Sequence, residues 1–181
     1  RERKLTEAQE GVMAFLKTSP NSSIGREIFG AILVLRGQTP EGLAELLRAL
    51  ELAPAQSTAS TKAGVIYLAL GDLAKAKAYL QRSVESNPKD RQAHQRLGMI
   101  FEGENQLATA IAHYEKGVEG TPINYLGVKV NLARLYNLQG EFEKVIRLLT
   151  PVATAQSGTA AAHLTLGSAW LGQKDPQKAL A

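Results

Sequence analysis

Four prolines, Pro20, Pro54, Pro88 and Pro122, stand 34 residues apart without exception. A fixed interval of that length is the signature of a repeat architecture, and it constrains the chain more than any single motif does. Other series keep the same phase. The pairs Phe29-Gly30, Ala63-Gly64 and Leu97-Gly98 share the spacing, and Leu132-Ala133 and Leu166-Gly167 follow after one inserted residue near Tyr125. A large residue always comes four positions after the first member of the pair: Leu33, Tyr67, Phe101, Tyr136 and Trp170. Gly42, Ala76, Ala110, Val145 and Ala179 form a fourth series.

Inside each interval, apolar residues recur at helical spacing in two blocks separated by a turn. TKAGVIYLAL, GD, LAKAKAYLQRSV and ESNPKD show this most clearly. Gly71 suits the left-handed residue that ends a helix, and Asp72 suits the cap of the next. Gly37, Asn105 and Gly140 occupy the same turn. Thr39-Pro40 and Asp175-Pro176 read as a capping side chain followed by proline at the first helical position. Each unit is expected to be a helix of about 13 residues, a tight turn and a second such helix. The small residue at the eighth position lets the two helices approach, and the large one three places later fills the space between units. One pair cannot bury its apolar face alone, so the units must stack.

The pattern is similar to the tetratricopeptide repeat (TPR), W-x2-L-G-x2-Y followed by A-x3-F-x2-A-x4-P. The third unit carries the resemblance in His94, Leu97, Gly98, Phe101, Ala110, Tyr114, Gly117 and Pro122. The second carries it in Ser60, Ala63, Gly64, Tyr67, Ala76, Leu80, Ser83 and Pro88. The resemblance covers essentially the whole chain. It implies an all-α fold, an α-solenoid in which antiparallel helix pairs wind into a right-handed superhelix. Residues 1–22 are expected to be the second helix of a preceding repeat. Whole repeats are expected at 23–56, 57–90, 91–124 and 126–159, and residues 160–181 at a repeat that stops six residues into its second helix. Both ends thus fall within a repeat, and a longer natural protein is expected. The chain departs from the pattern at the fourth position, where Arg26, Ser60, His94, Lys129 and His163 replace Trp. Pro151 falls inside a second helix, where a lost hydrogen bond and a clash predict a kink or an end near Thr150.

Composition excludes much chemistry. The 181 residues contain no cysteine, which removes disulfides, thiolate nucleophiles and cysteine metal sites. His94, His113 and His163 are dispersed over the repeats, whereas zinc needs three or four convergent ligands. Serines lie in turns and caps, and neither Gly37-Gln38-Thr39 nor Gly117–Gly120 ends in the Lys-Ser/Thr of a phosphate loop. The chain therefore reads as a non-enzyme without cofactor or metal. The 21 basic and 17 acidic side chains are interspersed, with no basic stripe interleaved with aromatics, so nucleic acid is not the expected partner. AILVL at 31–35 is far too short to span a bilayer. Compartment stays open between cytoplasm and bacterial periplasm.

The resemblance implies a partner-binding groove lined by first helices. Carried over by position, its candidates are Glu27, Thr61, Lys62, Gln92, Gln95, Arg96, Met99, Asn131 and Arg134. Apolar residues such as Ile24, Ile28 and Val34 line the early part, and amides and guanidinium groups the later part. The Lys and Asn pattern of the carboxylate clamp found in some TPR co-chaperones is missing. The expected function is a non-catalytic scaffold that binds a peptide or protein in this groove. The alternative is a structural segment of a larger repeat protein that self-associates through its ends. In style, turns such as GDLAKA are similar to long bacterial TPR proteins linked to export or polysaccharide systems.

Overall fold

The computed structural model describes residues 2–122, 125–154 and 159–174. Among them the chain forms ten helices: α1 Glu2–Thr18, α2 Ser23–Leu35, α3 Thr39–Leu52, α4 Ser57–Ala69, α5 Leu73–Ser86, α6 Arg91–Gly103, α7 Leu107–Val118, α8 Leu126–Leu138, α9 Phe142–Thr154 and α10 Ala160–Gly172. No strand occurs among the described residues, and the fold is an all-α solenoid. Contacts divide the chain into two compact units, Arg1–Arg96 and Leu97–Ala181.

The turns follow the residue types. Gly37, Gly71, Gly140 and Asn105 all adopt positive φ between 59° and 81°, the left-handed geometry that stops a helix. Lys174 does so too, at 61°, where side-chain chemistry gives no hint of it. Ser22 and Asp72 cap α2 and α5 by accepting the amide hydrogens of Gly25 and Lys75, at 3.1 and 3.0 Å. Two local expectations need correction. Thr39 lies inside α3, whose cap is Gln38 without a side-chain bond; Pro40 still falls at the start of the helix. Helix α9 does not end at Thr150 but runs through Pro151 to Thr154, one further turn. Asp175-Pro176 and the expected second helix of the last repeat lie outside the described residues.

In the first unit, α2 packs on α3 and α4 on α5. Their close approach requires glycine. A Cβ on Gly30 would stand 2.7 Å from the Gly42 carbonyl oxygen, and one on Gly64 would stand 2.7 Å from Leu80 Cγ. The core joining the pairs is built from Leu46, Ala49, Leu50, Ala59, Ala63 and Ile66, with Val34, Leu43 and Tyr79 against it. In the second unit, α8 packs on α7, α9 and α10. Tyr114, Leu132, Leu135, Val145, Leu149 and Val152 are buried there, and Tyr114 fills the space beside Gly98.

Candidate functional site

The fourth repeat position has a defined use. Arg26 Nε, His94 Nε2 and Lys129 Nζ each reach the carbonyl oxygen of the preceding proline, Pro20, Pro88 and Pro122, at 3.1, 3.1 and 2.8 Å. In these three repeats a long polar side chain at the Trp position of the family pattern donates to the carbonyl of the connection, and in the case of Pro122 the Tyr125 amide donates as well. Ser60 is too short for this; Arg82 Nε, from α5, serves Pro54 instead at 3.0 Å. The Ser60 hydroxyl is buried without a hydrogen-bond partner. Burial depresses the Lys129 ammonium below its usual value.

The fifth position is a latch. Glu27 on α2 accepts from the Gln56 amide, from Thr58 Oγ1 at 2.8 Å and from Lys62 Nζ, all around the start of α4. Burial pushes the carboxyl's pKa up, but the bonds from Lys62, Thr58 and Gln56 outweigh this and hold it below its ordinary value. Its position at the first turn of α4 also suits the helix dipole. Thr61 Oγ1 donates to Asp90 Oδ2 at 2.6 Å, and Ser83 Oγ lies within hydrogen-bonding distance of both, at 2.7 and 2.8 Å. Asp90 in turn caps α6 through the Ala93 amide at 3.1 Å. Glu27 and Thr61 are only 8% and 3% exposed. Both side chains therefore tie one first helix to the start of the next.

The remaining candidates divide. In the first unit Gln95 is buried, Arg96 half-buried and Gln92 exposed. In the second unit Met99 is exposed. Arg134 forms an ion pair with Glu102, and Glu102 also accepts from the buried Tyr114 hydroxyl at 2.9 Å. Burial raises the Tyr114 phenol above its usual value, while a hydrogen bond from Asn131 acts the other way. Lys62 and Arg134 are thus both matched to a carboxylate on a first helix. Exposed first-helix residues include the polar Gln92 and Arg134 and the apolar Ile24 and Ile28, the last two at 65% and 48%. Ile24 borders an open depression of about 640 Å³, walled by Ser23, Ala53, Pro54 and Ala55.

Sequence reasoning missed a cluster of interacting residues on α7, α8 and α9. Tyr136 donates its hydroxyl to Glu115 Oε1 at 2.6 Å, and Lys144 Nζ lies 5.0 Å from the centre of its ring. Burial, then the bond to Glu115, pushes the phenol well above its usual range. Beside the ring is a depression of about 360 Å³. Its signal in the sequence is a missing aromatic at one repeat position. His113, read as structural or surface, stacks on Phe101 at 5.2 Å.

Among the described residues, no three His, Asp or Glu side chains converge as metal ligands, and no helix is long and apolar enough to cross a membrane. Paired helices at a fixed repeat, with polar positions that latch α2 to the start of α4 and α4 to the start of α6, define a helical-repeat protein. A tetratricopeptide-repeat family model matches residues 32–82 and 61–122, together half of the chain, and the protein belongs to the TPR family. TPR proteins are generally non-catalytic scaffolds with protein or peptide partners. No curated protein sequence matches. Among solved structures the fold is similar to YrrB, a TPR protein with an unusual peptide-binding site, at 20% identity, 96% and 89% coverage of the two chains and a TM-score of 0.80. It is similar to PilF of Pseudomonas aeruginosa at 15% identity, 99% and 81% coverage and a TM-score of 0.80. MamA matches at 18% identity, 89% and 87% coverage and a TM-score of 0.70.

Proposed function

We propose that the chain is a non-catalytic scaffold that captures an extended peptide or protein segment on its first-helix faces, chiefly through apolar contacts. The observation that carries this is the exposed pair Ile24 and Ile28, one helical turn apart on α2, with Ile24 beside the depression under Pro54. Isolated exposed apolar residues are ordinary, but two on one face beside a concave surface favour docking. The nearby Glu27 is already matched by Lys62, so the site favours an aliphatic or aromatic anchor over a charged one. YrrB, which shares the fold, has a peptide-binding site, and this supports a peptide as the ligand class. Because the latches fix neighbouring first helices, binding requires little rearrangement.

The test is a selection of random peptides displayed against the whole chain. Selected peptides are expected to lose binding to the double variant Ile24→Glu, Ile28→Glu and to retain it with Leu73→Glu, a change at an exposed leucine of α5. Equal binding by both variants would remove the assignment. Arg96→Ala with Arg134→Ala measures what polar first-helix positions add to binding.

A second reading, self-association, draws on exposed Met13 and Phe15 of α1 and on Leu164 and Leu171 of α10. Sedimentation velocity over a hundredfold concentration range separates the two, because a groove binder stays monomeric.

A further inference from the structure

The depression beside Tyr136 gains meaning from the repeats before it. Tyr67 stacks on Tyr79, twelve residues later, with ring centres 5.4 Å apart and planes 14° apart. Phe101 stacks on His113, again twelve residues later, at 5.2 Å and 17°. In the next repeat the first-helix ring is Tyr136, but twelve residues on stands Leu148. The surroundings are otherwise repeated. Lys75 lies 5.3 Å from the Tyr67 ring centre and pairs with Asp72 at 2.9 Å. Lys144 lies 5.0 Å from that of Tyr136 and pairs with Glu141 at 2.7 Å. The frame that holds a stacked ring is therefore present, and the ring is missing.

Where that ring would lie, Val118, Leu132, Tyr136 and Leu148 line the depression of about 360 Å³. An aliphatic side chain in place of an aromatic one leaves room for a planar group, and stacked rings gain beyond their buried area. At the rim are Glu115, Lys144 and Arg147. Glu115 is engaged by the Tyr136 hydroxyl and Lys144 by Glu141. Arg147 is exposed and forms no ion pair among the described residues. Its guanidinium is the charge available to a ligand, and it suits a carboxylate.

We propose that the surface formed by α7, α8 and α9 is a second docking site, which seats an aromatic side chain of a partner protein against Tyr136 and Leu148 while Arg147 pairs with an adjacent carboxylate. The partner supplies from outside the ring that Tyr79 and His113 supply from within. The site consists of different residues from the α2 surface, and its occupancy does not depend on that surface being a ligand site.

The experiment titrates the isotopically labelled whole chain with an acetylated, amidated tetrapeptide, glycine–phenylalanine–glutamate–glycine, and follows it by NMR. Shifts centred on Val118, Tyr136 and Leu148 are expected. Replacing the phenylalanine by leucine, or the glutamate by lysine, is expected to weaken binding at least fivefold. Leu148→Tyr fills the depression in the manner of Tyr79 and is expected to weaken the first peptide at least tenfold without lowering the melting temperature. Leu148→His, after the Phe101 pair, is a second filling variant should tyrosine disturb the fold. Arg147→Gln is expected to weaken the glutamate peptide threefold or more and to leave the lysine peptide unchanged. Equal affinity for the leucine peptide, undiminished binding by a folded filling variant, or shifts centred elsewhere would each overturn the proposal.

Discussion

Thr61 on α4 donates its hydroxyl hydrogen to Asp90, 29 residues later, and Gln56 donates its amide to Glu27 across the same interval. The two bonds point in opposite directions along the chain but join equivalent places, the fifth position of one first helix and the residue that opens the next. The repeat thus conserves the location of the link while changing which partner donates.

Removing the Thr61 donor tests that link. Thr61→Val keeps the shape and leaves the half-buried Asp90 carboxylate short of one bond. A loss of about 1–3 kcal/mol in unfolding free energy is expected, read from urea denaturation. No loss would mean that Ser83 and the backbone amides satisfy Asp90 without Thr61.

The same carboxylate carries a pH dependence. Burial pushes its pKa up, but bonds from Thr61, the Ala93 amide, Ser83 and the Gln92 amide prevail and hold it below the ordinary 3.8. A depressed folded value contributes stability above the unfolded value, and that contribution is lost as pH falls through the folded one. Glu27 behaves in the same sense, below 4.5. Stability should therefore decline as pH falls below about 5. The decline should be shallower in Asp90→Asn, compared as the slope of unfolding free energy against pH.

Ser60→Ala is expected to be neutral or to stabilise the protein by about 1 kcal/mol, because a buried hydroxyl without a partner is removed and alanine favours the helix. Arg82→Ala, which strips the Pro54 carbonyl of its donor, is expected to destabilise by about 1 kcal/mol. Thermal melts of both variants check the contrast in sign.

Glycines divide in the same way. Gly11→Ala on α1 meets no atom within 4 Å and should stabilise by about 0.5–1 kcal/mol through helix propensity alone. Gly30→Ala gains the same propensity but drives a Cβ against the Gly42 carbonyl, a backbone atom that cannot swing aside. A net loss of about 1–2 kcal/mol is expected in chemical denaturation, since overpacking exceeds propensity.

These contrasts show how far the sequence could be read. Turn positions were legible because Gly37, Gly71, Gly140 and Asn105 tolerate left-handed backbone, and all four adopt positive φ. Lys174 was not, since lysine carries no such preference and only the 34-residue count points to it. The cap of α3 was misread because Thr39-Pro40 looks like cap and first turn, while the helix begins one residue earlier. Pro151 was read as a kink or an end near Thr150, and the end does not occur, since the last turn of α9 continues past it. Repeat arithmetic placed Glu27 and Thr61 on first helices, but not their burial. Their partners lie 22 or more residues away, and only folding brings them together. The gap at Leu148 was equally hidden, because a missing ring is visible only once two earlier rings are seen to stack.

The proline-carbonyl contacts bear on how such a chain can be rearranged by hand. Where Arg26, His94 or Lys129 serves the carbonyl, the donor and its proline lie six or seven residues apart and move together in any short transplant. Around Pro54 the donor is Arg82, 28 residues downstream on the second helix. A graft of the Pro54 connection that stops before α5 would leave its donor behind. Shuffled or consensus versions of this array will therefore keep their seams only if the joints are cut after Arg82, or if Ser60 is first given a side chain long enough to take over.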